Sequence, residues 1–312
     1  MLLMNTFNPY KEEAMLKSPK VIVVANNKGG VGKSLISQLV STYFAFKKNK
    51  KVLVLDFDPQ GNMSYRFLKD TRIRDMSSYK PPIHPDYNPE EEEDGWNGKS
   101  SALDMWTENP VVPYPTDLET LDILPSDASL IRDIENFEYS KSLEDIVQRP
   151  YDFLNMPDFI ECGYDVVLID TPPAKGPLTQ GAIRAATHVL IPLELSNKSL
   201  QGLAGMVDLV NRQNVYRPAN KQAKIVGLLK NKVDYNKRGP QTRIIETIKS
   251  NSVLRSLLIE DIELHDSPRA VDIDEDQAPI TAPYTELRED DRFAIEAAAL
   301  GEYMFKAIGL GG

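Results

Sequence analysis

Six short runs of almost unbroken apolar residues, at 21–25, 52–56, 121–124, 165–170, 187–193 and 223–229, constrain this chain more than any other feature. A strand with one wet face alternates apolar and polar residues. A continuous run needs cover on both faces, as parallel strands inside a sheet have. Between the runs, segments 33–48, 127–138, 141–154, 177–186 and 199–213 place apolar residues at the helical period. This alternation predicts an α/β fold, a single mainly parallel twisted sheet flanked by helices on both faces. With right-handed crossovers, the functional loops gather at the carboxyl ends of the strands.

Residues 1–19 read as an N-terminal extension and 20–312 as one domain, with a final helix from about Glu286 to Ile308 stopped by Gly309. An insertion at about 69–99 breaks the pattern with Pro81, Pro82, Pro85 and Pro89, then the acidic run Glu90 to Asp94. That composition predicts an exposed, partly disordered loop. The single cysteine, Cys162, excludes an internal disulfide framework and a cysteine cluster for zinc or iron–sulfur, and fits a reducing cytoplasm. No apolar stretch approaches the ~20 residues that span a bilayer, and the first 17 residues lack the order of a signal peptide.

The first apolar run opens into Asn26-Asn27-Lys28-Gly29-Gly30-Val31-Gly32-Lys33-Ser34, after which a helix is predicted. Three glycines in four positions free the backbone N–H groups to surround an anion, and the helix N-terminus adds its dipole. Lys33 supplies a point charge for β- and γ-phosphates, and the Ser34 hydroxyl is a natural Mg²⁺ ligand. In the usual phosphate loop the first glycine would stand at 27, where this chain has Asn27. Lys28 next to it is either a solvated cation or a phosphate ligand, the second reading placing it across a subunit interface.

The run 52–56 leads into Asp56-Phe57-Asp58-Pro59-Gln60-Gly61-Asn62. Strand alternation puts Asp56 and Asp58 on one side, where one carboxylate can serve a metal-bound water and the other the attacking water. The plainer alternative is a pair of acids capping the next element. The run 165–170 ends in Asp170-Thr171-Pro172-Pro173, apolar residues and then an acid, the Walker B arrangement for supporting Mg²⁺.

Taken together, Lys28–Ser34, Asp56–Asn62 and Asp170–Pro173 resemble the ParA/Soj branch of the deviant Walker-A ATPases, in the ParA/MinD superfamily. The similarity continues through Leu121–Ser126, His188–Pro192 and Ser199–Leu203 and covers about 20–309 apart from the insertion. The resemblance implies Mg²⁺-dependent ATP hydrolysis with slow, switch-type turnover, in a homodimer that sandwiches two nucleotides. It implies nucleotide contacts from Gly29, Gly30, Val31, Gly32, Lys33, Ser34 and Leu35, with Asn231 beside the purine. Lys28 matches the signature lysine that reaches the partner's phosphates, and Asp58 the acid that orients water. Ser34, Asp56 and Asp170 match the metal positions. Leu35 departs from the family, which commonly has a second threonine there. The implied function is partition or positioning of a cargo over nonspecific DNA, with a ParB-like or other adaptor stimulating hydrolysis and a cytoplasmic, nucleoid-associated location. A MinD-like membrane ATPase is the alternative, and it would want a basic amphipathic C-terminal helix. The segment Phe293–Gly312 carries one lysine, Lys306, against Glu296 and Glu302.

Segment 212–257 holds eleven Lys and Arg against Asp234 and Glu246, a local charge of +9 within a chain of −10. Such asymmetry predicts a face for phosphate backbones, with Lys230, Lys232, Lys237, Arg238, Arg243, Lys249 and Arg255 as candidates and Arg269 nearby. The alternative is a scatter of solvated cations. His188 and His265 border apolar runs and read as core or capping residues, His84 lies in the insertion, and Trp96 and Trp106 read as its anchors.

Overall fold

A computed structural model describes residues 17–68, 79–90, 96–136, 142–274, 279–285, 288 and 290–311. Each of the six apolar runs forms a strand of one eight-stranded sheet. In chain order the strands are β1 (Lys20–Val24), β2 (Val52–Asp56), β3 (Tyr114–Pro115), β4 (Leu121–Leu124), β5 (Val166–Asp170), β6 (His188–Glu194), β7 (Lys224–Val233) and β8 (Leu258–His265). Their order across the sheet is β3-β4-β2-β5-β1-β6-β7-β8. All neighbours run parallel except the two-residue β3, which pairs antiparallel with β4.

The two faces divide the apolar side chains by strand alternation. Val21, Val23, Leu53, Leu55, Val167 and Ile169 enter one core with Leu178, Ala182, Leu203 and Val210 from the helices Pro177–Ala185 and Asn197–Asn214. Ile22, Val24, Val52, Val54, Val166 and Leu168 enter the other with Ile36, Leu39 and Val40 from the helix Lys33–Thr42, and with Ala297, Leu300 and Met304 from Arg292–Ala307. Continuous apolar strands are therefore covered twice, as their sequence requires. From β1 the chain crosses to β2 on one side and later returns to β6 on the other. The carboxyl end of β1 is thus a topological switch point, where such sheets open a crevice.

One expectation changes. The final helix starts at Arg292 rather than near Glu286, because Asp291 caps it by accepting from the N–H groups of Phe293 and Ala294. Its predicted first residues 286, 287 and 289, like residues 1–16, 69–78, 91–95 and 137–141, lie outside the described residues. The described part of the insertion is mostly exposed, as expected, but is anchored by a few buried residues. Tyr79 and His84 are buried, the His84 ring bonds the Pro113 carbonyl at 3.1 Å, and the Tyr114 hydroxyl donates to Pro82 O at 2.8 Å. Trp96 packs on His84 and Tyr87, and Trp106 meets Phe57 in the core, so both tryptophans serve as anchors.

Candidate functional site

The loop after β1 is pinned from its first residue. Asn26 donates from Nδ2 to Pro192 O at 2.7 Å and accepts from the Lys28 N–H at 3.0 Å. Gly30 and Gly32 then take φ of +70° and +83°, the left-handed region where a side chain is disfavoured. A Cβ on Gly32 would lie 2.4 Å from Asn231 Nδ2, and that same amide donates to Val31 O at 2.7 Å. Gly32 caps the helix Lys33–Thr42 without any side-chain hydrogen bond, leaving the first-turn N–H groups for an anion.

Lys33 is 6% exposed and sits between Asp170 and Asp58. Burial pushes its ammonium pKa down, while the two carboxylates oppose that shift. Ser34 Oγ donates to Asp170 Oδ2 at 2.6 Å and Ser37 Oγ to Asp170 Oδ1 at 3.0 Å. Asp170 is fully buried, and burial raises its pKa even though the Ser34 hydrogen bond acts against it. Asp56 and Asp170 are register partners on β2 and β5. Burial first, then the charge of Asp170, pushes the Asp56 carboxyl up.

The alternation argument joined Asp56 and Asp58 at one site, and here the two part company. Asp58 lines the cleft, while Asp56 is fully buried beneath it and is absent from the lining. Asp56 Oδ1 accepts from the Asp58 N–H at 3.1 Å, and Oδ2 accepts from Ser64 N at 2.9 Å and Ser64 Oγ at 2.6 Å. Asp56 thus braces the turn that carries Asp58 and, like Asp170, lies behind the lining of the cleft rather than in it. Ser126, just past β4, completes the support by donating from Oγ to Asp58 O at 2.7 Å and from its N–H to Ser64 Oγ at 2.9 Å.

The open cleft, about 350 Å³, is lined by Gly29, Gly30, Gly32, Lys33, Ser34, Leu35 and Asp58 on one side, with Lys232 and Ser267 opposite. Leu35 shares it with Ala270 and Val271, so an apolar patch borders the phosphate end. This arrangement suits an anion with a bulky neutral portion, held by backbone N–H groups and Lys33 next to a carboxylate that can position water. Among the described residues no three His, Cys, Asp or Glu side chains converge as a metal cage. A hard cation here depends on a hydroxyl and on phosphate oxygens, which is how Mg²⁺ is ordinarily held.

Lys28 lies outside that cleft. It pairs with Glu194 at the end of β6 and reaches Ser196 Oγ and Ser199 Oγ, each at 3.3 Å. The side chain of Val31 is buried, and Asn231, expected near a purine, is 3% exposed with its amide committed to the loop. Sequence reasoning missed Ser37, Ser64 and Glu194, and met Ser126 only as the end of a family-like stretch with no role assigned. Ser37 had a local signal, one helical turn after Ser34.

The basic segment divides. Lys230 is buried, donates to Glu260 O at 2.9 Å and pairs with Glu263 at 3.1 Å, so it is withdrawn from any exposed face. Lys232 belongs to the cleft, with φ of +53°. Lys237, Arg243, Lys249, Arg255 and Arg269 are exposed, although Lys237 pairs with Asp234, Lys249 with Glu260, and Arg269 with Asp272. Arg238 starts the helix Arg238–Ser250. His265 is held between Glu263 and Glu296, and His188 is buried against Thr187, both structural placements.

A family model described as an AAA domain, AAA_31, matches residues 19–225. Protein IncC of Escherichia coli is 32% identical over 233 residues, 72% of this chain and 54% of IncC, so the chain spans about half the length of that relative. The chromosome-partitioning ATPase Soj of Treponema pallidum is 27% identical over 253 residues, 80% of this chain and 86% of Soj. A crystal structure of a putative plasmid partition protein from Borrelia burgdorferi, bound to AMPPNP, has a TM-score of 0.66 at 19% identity and covers 92% of this chain and 99% of that one. At that identity the likeness speaks for the fold alone.

Proposed function

The chain belongs to the ParA/Soj-like ATPases of the ParA/MinD superfamily, and from that premise we propose that it is an ATP-switched homodimer that positions or partitions a cargo over nonspecific DNA. The observation that carries the dimer is the position of Lys28. The phosphate end of the cleft has its own lysine, hydroxyl and acid, while a second lysine of the same loop rests outside on Glu194. A cation of that loop with no place in its own cleft is suited to a second copy's phosphates.

The loop N–H groups from Gly29 to Ser34, with Lys33, would hold the ATP phosphates, and Leu35, Ala270 and Val271 would meet its less polar part. Ser34 would hold Mg²⁺, its hydroxyl oriented by Asp170. When bound, the cation neutralises charge on the β- and γ-oxygens. Asp58 orients the attacking water, and its place is kept by Gln60, Ser126 and the Asp56 brace. Lys232 adds a positive charge on the opposite lip, a role other than the DNA contact expected of it. Exposed Lys237, Arg243, Lys249 and Arg255 would face DNA phosphates, and an adaptor of the ParB kind would set the rate of hydrolysis.

For the membrane alternative, the helix Arg292–Ala307 turns Phe293, Leu300 and Met304 into the core and leaves Ile295 exposed, so most of its apolar face is already used inside the fold. No described helix is long and apolar enough to cross a membrane. The deciding experiment is Lys28→Ala. Nucleotide affinity of the monomer should stay within about twofold of wild type, the scale of a lost exposed contact, while the ATP-dependent dimer disappears in sedimentation analysis. A variant that still dimerises with ATP refutes the shared site.

A further inference from the structure

At the opposite end of the sheet from the phosphate loop, three adjacent strands begin with basic side chains. β1 starts at Lys20, β6 at His188 and β7 at Lys224, with His188 and Lys224 in direct register. The connection into β7 adds Arg217 and Lys221, and together with Asn155 these groups line a cavity of about 260 Å³. Five residues of rise along β1 separate it from the loop by about 16 Å.

The charge balance of this cavity is the opposite of the chain's. The protein has 46 Asp and Glu against 36 Lys and Arg, yet no carboxylate side chain lines this cavity among the described residues. Nor do Lys20, Lys221 and Lys224 have an acidic partner among them. Arg217 is 8% exposed in the cavity wall, over the Tyr151 ring, with one guanidinium nitrogen donating to Ala186 O. Its Nε is buried with no hydrogen-bond partner. Burial, then Lys17 and Lys224, pushes the Lys20 pKa down, and burial, then Lys20 and Lys224, takes His188 to about 4. Among the described residues nothing neutralises these mutually repelling cations, a deficit that a bound anion would relieve.

We propose that this amino-end cavity is a second anion site, taking a small phosphate-bearing molecule of the diphosphate class. Its volume lies below the range usual for drug-sized ligands, which limits the occupant to a few heavy groups. A planar guanidinium and three mobile ammonium groups match several phosphate oxygens at once. A concave site with its arginine buried in the wall suits a small ion better than a duplex, whose backbone tracks an open surface.

The test uses the full chain with its loop site saturated by AMPPNP, Mg²⁺ being in excess throughout, titrated calorimetrically with inorganic pyrophosphate. One pyrophosphate per chain should bind. Lys20→Gln with Lys224→Gln should weaken it by about tenfold, a modest loss for two charge-assisted contacts, with AMPPNP affinity unchanged. Arg217→Met should weaken it too; if that variant fails to fold, the exposed lysine pair still decides. Absence of a second binding event, or equal affinity in wild type and the double variant, overturns the proposal. So does a duplex DNA titration in which the lysine pair matters while pyrophosphate gives no signal, since the cations then belong to a DNA face.

Discussion

Gly32→Ala tests the geometry of the loop against a built-in control, Gly30→Ala. Both glycines have positive φ, +70° at Gly30 and +83° at Gly32. Placing an L side chain in that region costs about 1–2 kcal/mol. At Gly30 the added methyl meets nothing within 4 Å, so the backbone cost should be the whole effect. At Gly32 it would lie 2.4 Å from Asn231 Nδ2, a distance no real contact tolerates. The Asn231 amide must move, which breaks its 2.7 Å hydrogen bond to Val31 O in a buried setting. That loss adds about 1–3 kcal/mol, bringing Gly32→Ala to about 2–5 kcal/mol. Urea unfolding of nucleotide-free protein reads both values. Asn231→Ala removes the obstructing group, so Gly32→Ala should cost less in that background, with coupling of about 1 kcal/mol or more. Equal destabilisation by the two glycine variants, or strict additivity with Asn231→Ala, would refute the claim that Asn231 holds the loop.

Two further predictions concern charge. Burial pushes Asp56 up to about 8 and Asp170 up to about 6, so between the ordinary carboxylate range and those values the folded chain binds more protons than the unfolded one. Stability of the nucleotide-free protein should therefore fall as pH rises from 5 to 8, and Asp170→Asn should flatten that fall in thermal melts; an unchanged slope speaks against buried, mutually repelling acids. On the basic face, Arg243→Ala and Arg255→Ala should each lower DNA affinity and reduce the salt slope by about 1. Lys230→Met should leave the salt slope alone and destabilise the fold by about 1–3 kcal/mol, a buried-pair loss discounted for the partial exposure of Glu263. A changed slope in Lys230→Met would return that residue to the DNA face.

What could be read from the chain follows the range of the interactions involved. The six covered strands announce themselves because burial on both faces removes polar residues from them. β8 escapes notice for the converse reason. It is the sheet edge, and Glu260, Asp261 and Glu263 break its apolar pattern while guarding that edge against pairing. β3 is two residues long and includes Pro115, too short for any periodicity. The loop itself was legible because glycines, a lysine and a serine are contiguous. The supports around it were not: Glu194 meets Lys28, and Ser64 and Ser126 brace Asp56 and Asp58, from separate elements that come together only after folding. Lys230 shows the limit of counting charges, since its position between β7 and β8 hides a cation that composition places on the surface.

The unusual residues of the loop, Asn27 and Lys28, can now be connected. Where an ordinary phosphate loop has its first glycine, the Asn27 side chain lies against the helix Asn197–Asn214 so closely that a Cβ on Gly202 would be 2.5 Å from Asn27 Oδ1. The asparagine thus needs a glycine on the facing helix, and both sit beside the segment that carries Ser196 and Ser199, the hydroxyls around Lys28. Lys28 is therefore turned toward β6 by the same packing that replaces the first glycine. Its pair with Glu194 is about one-third exposed on both sides, a setting in which an ion pair contributes about 0–1 kcal/mol. Lys33, by contrast, is buried between two acids and cannot leave without exposing unpaired charge. Of two lysines five residues apart, one is fixed in its own cleft and the other is held loosely outside it. In the proposed dimer, a phosphate from a second chain would have to displace only the weaker hold, whose weakness comes from the exposure of the Lys28–Glu194 pair.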